Sequence, residues 1–367
     1  MSEILVAIAV VVLLSSLLAV LLLISEAVLI NYGICTITIN QEDELEVEGG
    51  KTLLQTLMDQ EIFVPSACGG RGSCGLCKVK VLEGAGPLLP TEEPQLTDEE
   101  MENDIRLSCQ VKVRKDISIE LPEEILDLEQ YEVEVVEIVD LNYDTRKIRL
   151  DLIEPEEIEF TPGQYIQLEI PPYGKTPEPV YRAYSIASPQ PQKDEIELII
   201  RLAPGGICTT YIFELLEEGE HLNMNGPYGE FYLRDSDREI IFVAGGTGIA
   251  PILSILDQMA REDIQRDATL FYGANEMRDF YLQDALREYQ EKIPNFTYVP
   301  VLAQPKEENE WEGATGLVTE PLEERIEDAS TQEFYLCGSP GMIDAVIDTL
   351  EPQGLTEDRT FYDKFTE

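Results

Sequence analysis

Cys68-Gly69-Gly70-Arg71-Gly72-Ser73-Cys74-Gly75-Leu76-Cys77 sets three cysteines in a glycine-rich run of ten residues, and Cys109 follows after a further 31. The spacing C-x5-C-x2-C with one distant partner supplies four thiolates, two for each iron of a [2Fe–2S] cluster. Glycines suit such a loop because a tight turn needs positive φ and backbone N–H groups must point at the sulfurs. A zinc knuckle is the competing reading. Zinc sites show two matched C-x2-C pairs, whereas here three thiols share one loop and the fourth stands apart. Cys35, Cys208 and Cys337 bring the total to seven. An odd number with three crowded together is no disulfide framework and indicates a reducing compartment. Between a juxtamembrane lipidation site and a buried strand thiol, Cys35 fits the second better, and Cys208 read alone is a structural thiol. The single histidine, His221, excludes a Rieske centre and multi-histidine zinc sites.

Around this loop the chain reads as a small β-rich domain over residues 34–125. Thr36–Asn40 and Glu44–Glu48 are hairpin strands, Thr52–Gln60 has helical apolar spacing, Lys78–Leu82 alternates, and Val111–Leu121 closes the segment as strand. Before it, Ile4–Ser25 runs 22 residues without a charge. That length spans a hydrocarbon core as a helix. A signal peptide would carry a basic flank and a shorter apolar run, and Glu3 is acidic. A membrane anchor over residues 1–33 is therefore expected. With no Lys or Arg before Lys51, charge does not set its orientation.

Residues 126–235 hold short strands punctuated by Gly and Pro, at Tyr131–Val139, Thr145–Leu152, Gln164–Ile170, Tyr184–Ala187 and Glu195–Leu202, which predicts an antiparallel barrel. Arg182-Ala183-Tyr184-Ser185 puts a phosphate-pairing guanidinium, a stacking ring and a hydroxyl on one strand. Gly205-Gly206-Ile207-Cys208-Thr209-Thr210 precedes a helix-like run, Tyr211–Leu216, and reads as an anion site. Gly226-Pro227-Tyr228-Gly229-Glu230-Phe231 reads as a rigid turn at the end of the segment. Each motif alone is weak.

The rhythm changes over 236–367. Glu239–Ala244, Ala268–Gly273, Phe296–Leu302 and Glu333–Cys337 are short apolar strands, followed by helices such as Ile249–Ala260 and Met342–Leu350, so a parallel α/β sheet is expected. Gly245-Gly246-Thr247-Gly248 links strand to helix, where glycines let the backbone approach a pyrophosphate. The third glycine of G-x-G-x-x-G is missing, so no ordinary dinucleotide fingerprint is present. Tyr272-Gly273-Ala274-Asn275 and Cys337-Gly338-Ser339-Pro340 end two of the strands, where such sheets bind ligands.

The chain has 72 acids against 26 bases, a net charge of −46, which repels nucleic acid and other polyanions. The acids are spread through all the soluble segments. A salt-rich cell or a merely acidic proteome accounts for that equally well.

In this order the motifs resemble the ferredoxin–NADP reductase superfamily. With the anchor and the C-x5-C-x2-C domain, the whole chain resembles the family of NADH-input subunits of sodium-translocating NADH:quinone oxidoreductases. The resemblance implies a multidomain α+β protein: a transmembrane helix, a β-grasp ferredoxin domain, a β-barrel flavin domain and an α/β nicotinamide domain. It implies a [2Fe–2S] cluster on Cys68, Cys74, Cys77 and Cys109, and FAD on Arg182, Tyr184 and Ser185 with Gly206, Cys208, Thr209 and Thr210 at the pyrophosphate. NADH would meet Gly245, Gly246, Thr247 and Gly248, with Tyr272 and Gly338 beside it. Cys337 would lie near the nicotinamide, and Phe365 would cover the flavin until NADH displaces it. Tyr184, Ser185, Cys337 and Phe365 form the expected catalytic set.

The implied activity is an NADH dehydrogenase that passes electrons through FAD and the cluster to integral membrane subunits and, through them, to quinone. The implied location is the inner membrane, single-pass, with the soluble body cytoplasmic. Two departures from the family pattern stand out: Asn275 replaces an Arg, and the Gln164–Arg182 segment is short. Asn275-Glu276 offers no cation to a 2′-phosphate, which favours NADH over NADPH, although Arg278 is near. An oxygenase reductase shares these modules, but such reductases resemble the four-residue plant-type spacing and lack an anchor. A non-catalytic iron–sulfur carrier or sensor would not need Arg182, Tyr184, Ser185 and the 245–251 loop intact.

Overall fold

The structure is a computed structural model that describes residues 11–19, 32–306 and 311–365. Most of the expected anchor, Ile4–Ser25, lies outside the described residues. Residues 11–19 are helical with every side chain exposed, and no described helix is long and apolar enough to cross a membrane. The chain divides into two compact units, the first made of residues 1–65 and 70–127 and the second of 66–69 and 128–367.

The first unit is a five-stranded sheet in the order β2-β1-β5-β3-β4. Its strands are β1 (Ile34–Ile39), β2 (Asp43–Glu48), β3 (Lys78–Glu83), β4 (Ile105–Leu107) and β5 (Ile117–Glu120). Only the β1–β5 pair is parallel. Helix α1 (Leu53–Met58) starts in a reciprocal capping box between Thr52 and Gln55 and buries Leu53, Leu54 and Leu57. These meet Ile37, Ile39, Val79 and Ile119 in one core. Each fully buried Leu or Ile contributes about 1.5–3 kcal/mol. Cys35 is buried in β1, as its strand reading required. Strand pattern over Val111–Leu121 is realised only in part. β5 covers its second half, while Lys112 makes a lone bridge to Thr52.

The second unit carries two sheets. The first is antiparallel, in the order β10-β7-β6-β11-β8-β9, with β6 (Glu129–Asp140), β7 (Thr145–Glu154), β8 (Tyr165–Ile170), β9 (Val180–Ser185), β10 (Glu195–Arg201) and β11 (His221–Tyr228). It curls into a half-barrel rather than a closed barrel: beyond β9, only the bridge Ile186–Leu198 reaches the opposite edge strand. Gly226-Pro227-Tyr228, expected as a turn, still belongs to β11 and pairs with β6 and β8. Helix α2 (Ile207–Glu214) follows β10 and begins four residues before the expected Tyr211.

The second sheet is parallel throughout, in the order β15-β14-β13-β12-β16-β17. Its strands are β12 (Glu239–Gly245), β13 (Ala268–Ala274), β14 (Phe296–Leu302), β15 (Ala314–Thr315), β16 (Gln332–Gly338) and β17 (Thr360–Lys364). Helix α3 (Ile249–Arg261) covers one face, and α4 (Pro340–Leu350) helps cover the other. The order reverses at β12: β13 lies on one side and β16 on the other. Such a reversal opens a crevice at the carboxyl ends of the two central strands. Both glycine motifs of this region leave the sheet there.

Candidate functional site

The cysteine loop turns as its glycines predict, with Gly69, Gly70, Gly72 and Gly75 all at positive φ. Cys68, Cys77 and Cys109 are buried and Cys74 is partly exposed. In the first unit, the Cys109 thiol meets Cys77. That hydrogen bond, together with burial and the nearby Cys74, pushes the Cys77 thiol far above its ordinary range. Among the described residues no three His, Cys, Asp or Glu side chains are spaced to hold a metal ion. The donor chemistry nonetheless fits a cluster. Crowded, buried thiols resist ionisation by protein alone, and cationic iron supplies the charge that would hold them as thiolates. Ser108, fully buried beside Cys109, has a hydroxyl with no hydrogen-bond partner among the described residues.

In the first unit Glu92 is fully buried against Arg106. Its carboxylate accepts from Arg106 Nε at 2.9 Å, Arg106 Nη2 at 2.6 Å and the Leu107 amide at 3.0 Å. Arg106 also donates to the Gly86 and Pro87 carbonyls. The pair ties the 86–92 loop to the strand that delivers Cys109.

On the flavin side, β9 carries Arg182, Tyr184 and Ser185. Ser185 is buried, and the Tyr184 hydroxyl is buried with no hydrogen-bond partner among the described residues. Burial and the nearby Cys208 push the Tyr184 phenol well up, against Arg182, which lowers it. A buried hydroxyl without a partner costs about 1–3 kcal/mol unless a ligand satisfies it, so this strand fits a bound flavin nucleotide. Gly206 caps α2 without a side-chain bond, leaving the first backbone N–H groups of the helix open to an anion. Cys208 is buried and its thiol is pushed up to about 11, chiefly by burial. Thr209 turns inward, accepting from the Ala203 amide at 3.1 Å, so its hydroxyl serves the turn rather than a phosphate. Thr210 accepts from Lys175 Nζ at 2.8 Å. Lys175 thus sets a cation beside the start of α2, which the sequence reading missed because an isolated Lys in a Gly-Lys-Thr turn carries no pattern.

At the sheet reversal, Ala244 of β12 pairs with Cys337 of β16. A Cβ on Gly248 would lie 2.1 Å from the Cys337 carbonyl oxygen, so only glycine lets the loop approach β16 so closely. Tyr272 is fully buried, its hydroxyl 3.5 Å from the Gly246 carbonyl. In the Cys-Gly-Ser-Pro motif the strand ends at Gly338, Ser339 accepts from the Met342 amide, and Pro340 opens α4. Cys337 is fully buried, and burial and the neighbouring Asp363 push its thiol well up.

Strand β17, unrecognised in the sequence, brings the C-terminal residues to the same edge. Asp363 pairs in register with Cys337, and the Phe365 amide donates to the Gly338 carbonyl at 2.8 Å. Phe365 packs on the core cluster that contains Cys337 and Tyr272. Burial raises the Asp363 carboxyl to about 6. The Ser254 hydroxyl of α3 donates to the Ser188 carbonyl at 2.8 Å, tying the segment after Ser185 to the helix after the glycine loop. Arg278 lies over the Tyr143 ring and pairs with Glu276 at 3.2 Å, and Lys306 reaches the same carboxylate at 3.5 Å.

Three family models match the chain: a 2Fe-2S iron-sulfur cluster binding domain over residues 37–114, an oxidoreductase FAD-binding domain over 132–232, and an oxidoreductase NAD-binding domain over 242–348. In Neisseria gonorrhoeae, the Na(+)-translocating NADH-quinone reductase subunit lettered F is 35% identical over 95% of this chain and 96% of its own length. The proteins of the same name from Psychrobacter cryohalolentis and Klebsiella pneumoniae are also 35% identical, over 95% and 94% of this chain and 95% of their own lengths. Among solved structures, the cytochrome P450 reductase GcoB of Amycolatopsis superposes with a TM-score of 0.72 at 27% identity, covering 91% of this chain and 99% of that one. The ferredoxin reductase in carbazole 1,9a-dioxygenase superposes at 0.70 with 24% identity and the same coverage, a likeness of fold.

Proposed function

The chain belongs to this family of Na(+)-translocating NADH-quinone reductase subunits, and from that premise we propose how its residues perform the electron input of such a complex. NADH is the donor, and FAD and a [2Fe–2S] cluster are the carriers. When bound, the flavin accepts a hydride and the cluster carries electrons singly. The chain's own work is to bind, orient and exclude water.

Cys68, Cys74, Cys77 and Cys109 hold the cluster. Arg182, Lys175 and the amino end of α2 hold the flavin phosphates, while Tyr184 and Ser185 face the ring system. Gly245, Gly246, Thr247 and Gly248 admit the NADH pyrophosphate to the crevice between β12 and β16. Cys337 and Gly338 line the nicotinamide position, and Phe365 covers the flavin until NADH arrives. Asp363, beside Cys337, sets a carboxylate where positive charge develops as NADH becomes NAD⁺. The division into residues 1–33, 34–125, 126–235 and 236–367 gives each step its own domain.

Ile4–Ser25 anchors the chain as a single span, with the soluble body in the cytoplasm. Electrons leave for integral membrane subunits and reach quinone through them. One observation carries this reading: the two glycine motifs, Cys337 and Phe365 all converge at the reversal of a parallel sheet, in a chain aligned with the family over nearly its whole length.

The test is purification from the native membrane in mild detergent, followed by NADH-driven quinone reduction with and without sodium. Co-purifying membrane subunits and faster turnover in sodium are expected. A chain that purifies alone, reduces only artificial acceptors and ignores sodium would overturn the assigned complex and favour an oxygenase-type partner.

A further inference from the structure

We propose that Gln110 is a positioning residue for the cluster: its carboxamide donates a hydrogen bond to the Cys109 sulfur and holds the reduction potential up. The Gln110 Nε2 lies 3.4 Å from Cys109 Sγ. At its other end Oε1 accepts from the Thr91 hydroxyl at 3.0 Å. The Thr91 hydroxyl can donate or accept, so the orientation is set at the sulfur: a ligand thiolate only accepts, which turns the NH₂ toward it. The carboxamide lies across the cysteine loop, so that a Cβ on Gly72 would come within 2.7 Å of Nε2. The loop therefore has glycine, at positive φ, where the Gln110 side chain crosses it. All four residues belong to the first unit.

The sign follows from charge. Reduction adds an electron to a cluster whose sulfurs already carry negative charge. A donor aimed at a ligand sulfur stabilises the reduced state more than the oxidised one and raises the potential. Backbone N–H groups of the loop act the same way, but they are fixed by the fold. Gln110 is different because it is a side chain held by one exposed hydroxyl, so the potential depends on a contact that substitution can remove without altering the loop.

This inference rests on Cys109 being a cluster ligand, and the experiment separates the two. The full chain is purified in detergent, and its reduced cluster is followed by electron paramagnetic resonance during a potentiometric titration. A wild-type chain with no [2Fe–2S] signal defeats the ligand assignment itself. Given that signal, Gln110→Leu, which keeps bulk but has no donor, is expected to titrate at lower potential with unchanged iron content. The expected size is about a tenfold shift in the flavin–cluster equilibrium, about 59 mV for one electron. Thr91→Val, which frees the far end of the amide from an exposed position, should shift the potential the same way by less. An unchanged potential in Gln110→Leu overturns the proposal. Should that variant lose its cluster, Thr91→Val decides: a downward shift supports the proposal and no shift overturns it.

Discussion

Tyr184 and Asp363 each bury a polar group, with consequences that can be measured. The Tyr184 hydroxyl is buried and unpartnered within the described protein. Tyr184→Phe should leave the flavin-free protein as stable as before, or more stable by up to about 1 kcal/mol, because it removes an unsatisfied polar group. The same change should weaken FAD binding about fivefold to tenfold, the worth of one hydrogen bond. Equilibrium flavin release, followed by fluorescence, measures this. Equal affinities would mean that the hydroxyl does not meet the cofactor. Asp363 is the second case, with its carboxyl raised to about 6 by burial, against about 3.9 in an unfolded chain. The folded state holds this proton more tightly. Below about pH 4 both states are protonated and nothing is lost. As pH rises from about 4 to 6 the folded state loses stability, and above about 6 the loss levels off at up to about 3 kcal/mol. Asp363→Asn escapes that loss. Its denaturation midpoint should exceed that of the parent chain at pH 7.5 and match it near pH 4. Flavin reduction by NADH, measured by stopped flow at pH 7.5, should be slower in the variant, since the charge beside the proposed nicotinamide position is gone.

Elements show where a local pattern suffices and where it does not. β7, β8, β12, β14 and α3 lie within two or three residues of their expected bounds, because alternation or apolar runs mark them unaided. α2 begins earlier than expected: Ile207, Thr209 and Thr210 are β-branched and stand ahead of the apolar run in sequence, yet an amino end capped at Gly206 carries them into the helix. β11 runs on through Gly226-Pro227, a pair that signals a turn in sequence, because tertiary pairing to β8 holds the segment in the sheet. β17 opens with the β-favouring Thr360-Phe361-Tyr362 but is only five residues long and ends in the charged Asp363 and Lys364, too short a run to stand out in sequence. It forms because β16 offers an open edge, and only then does Asp363 come beside Cys337. The candidate site residues named from sequence rest mostly on glycine or cysteine spacing and on the Arg182-Ala183-Tyr184-Ser185 strand. Lys175, Asp363 and Gln110 depend on contacts between distant segments, which spacing does not encode. The most demanding contact of this kind is Gly248 on β16. Gly248→Ala places a methyl group against the Cys337 carbonyl. Overpacking of this sort costs about 1–3 kcal/mol, and the displaced loop should raise KM for NADH about tenfold or more. Thermal unfolding and steady-state kinetics test both effects. Unchanged KM would show that the loop can retreat without losing its hold on the pyrophosphate.

For the molecule as a whole, charge is the property that local structure explains least. A net charge of −46 on 367 residues is far more than solubility requires. Part of it has a local use. Glu44, Glu46 and Glu48 line the exposed face of β2, an edge strand of the first sheet. Charges there keep that edge from pairing with another chain. They also repel one another at alternate positions along one strand, and the same repulsion is repeated over the surface. Salt screens it: the Debye length falls from about 8 Å at 0.15 M to about 3 Å at 1 M. If the surface is adapted to salt, the melting temperature should climb by several degrees between 0.1 and 2 M KCl, and NADH oxidation should climb with it. The triple variant Glu44→Gln, Glu46→Gln, Glu48→Gln should melt higher than the parent in low salt and gain less from KCl, since it begins with less repulsion to screen. A KCl gain that is the same in both proteins would point to salt acting on apolar burial instead of charge. If melting is flat and activity is best in low salt, the acidic surface is a compositional habit that the fold tolerates, and its use on β2 is confined to guarding the edge.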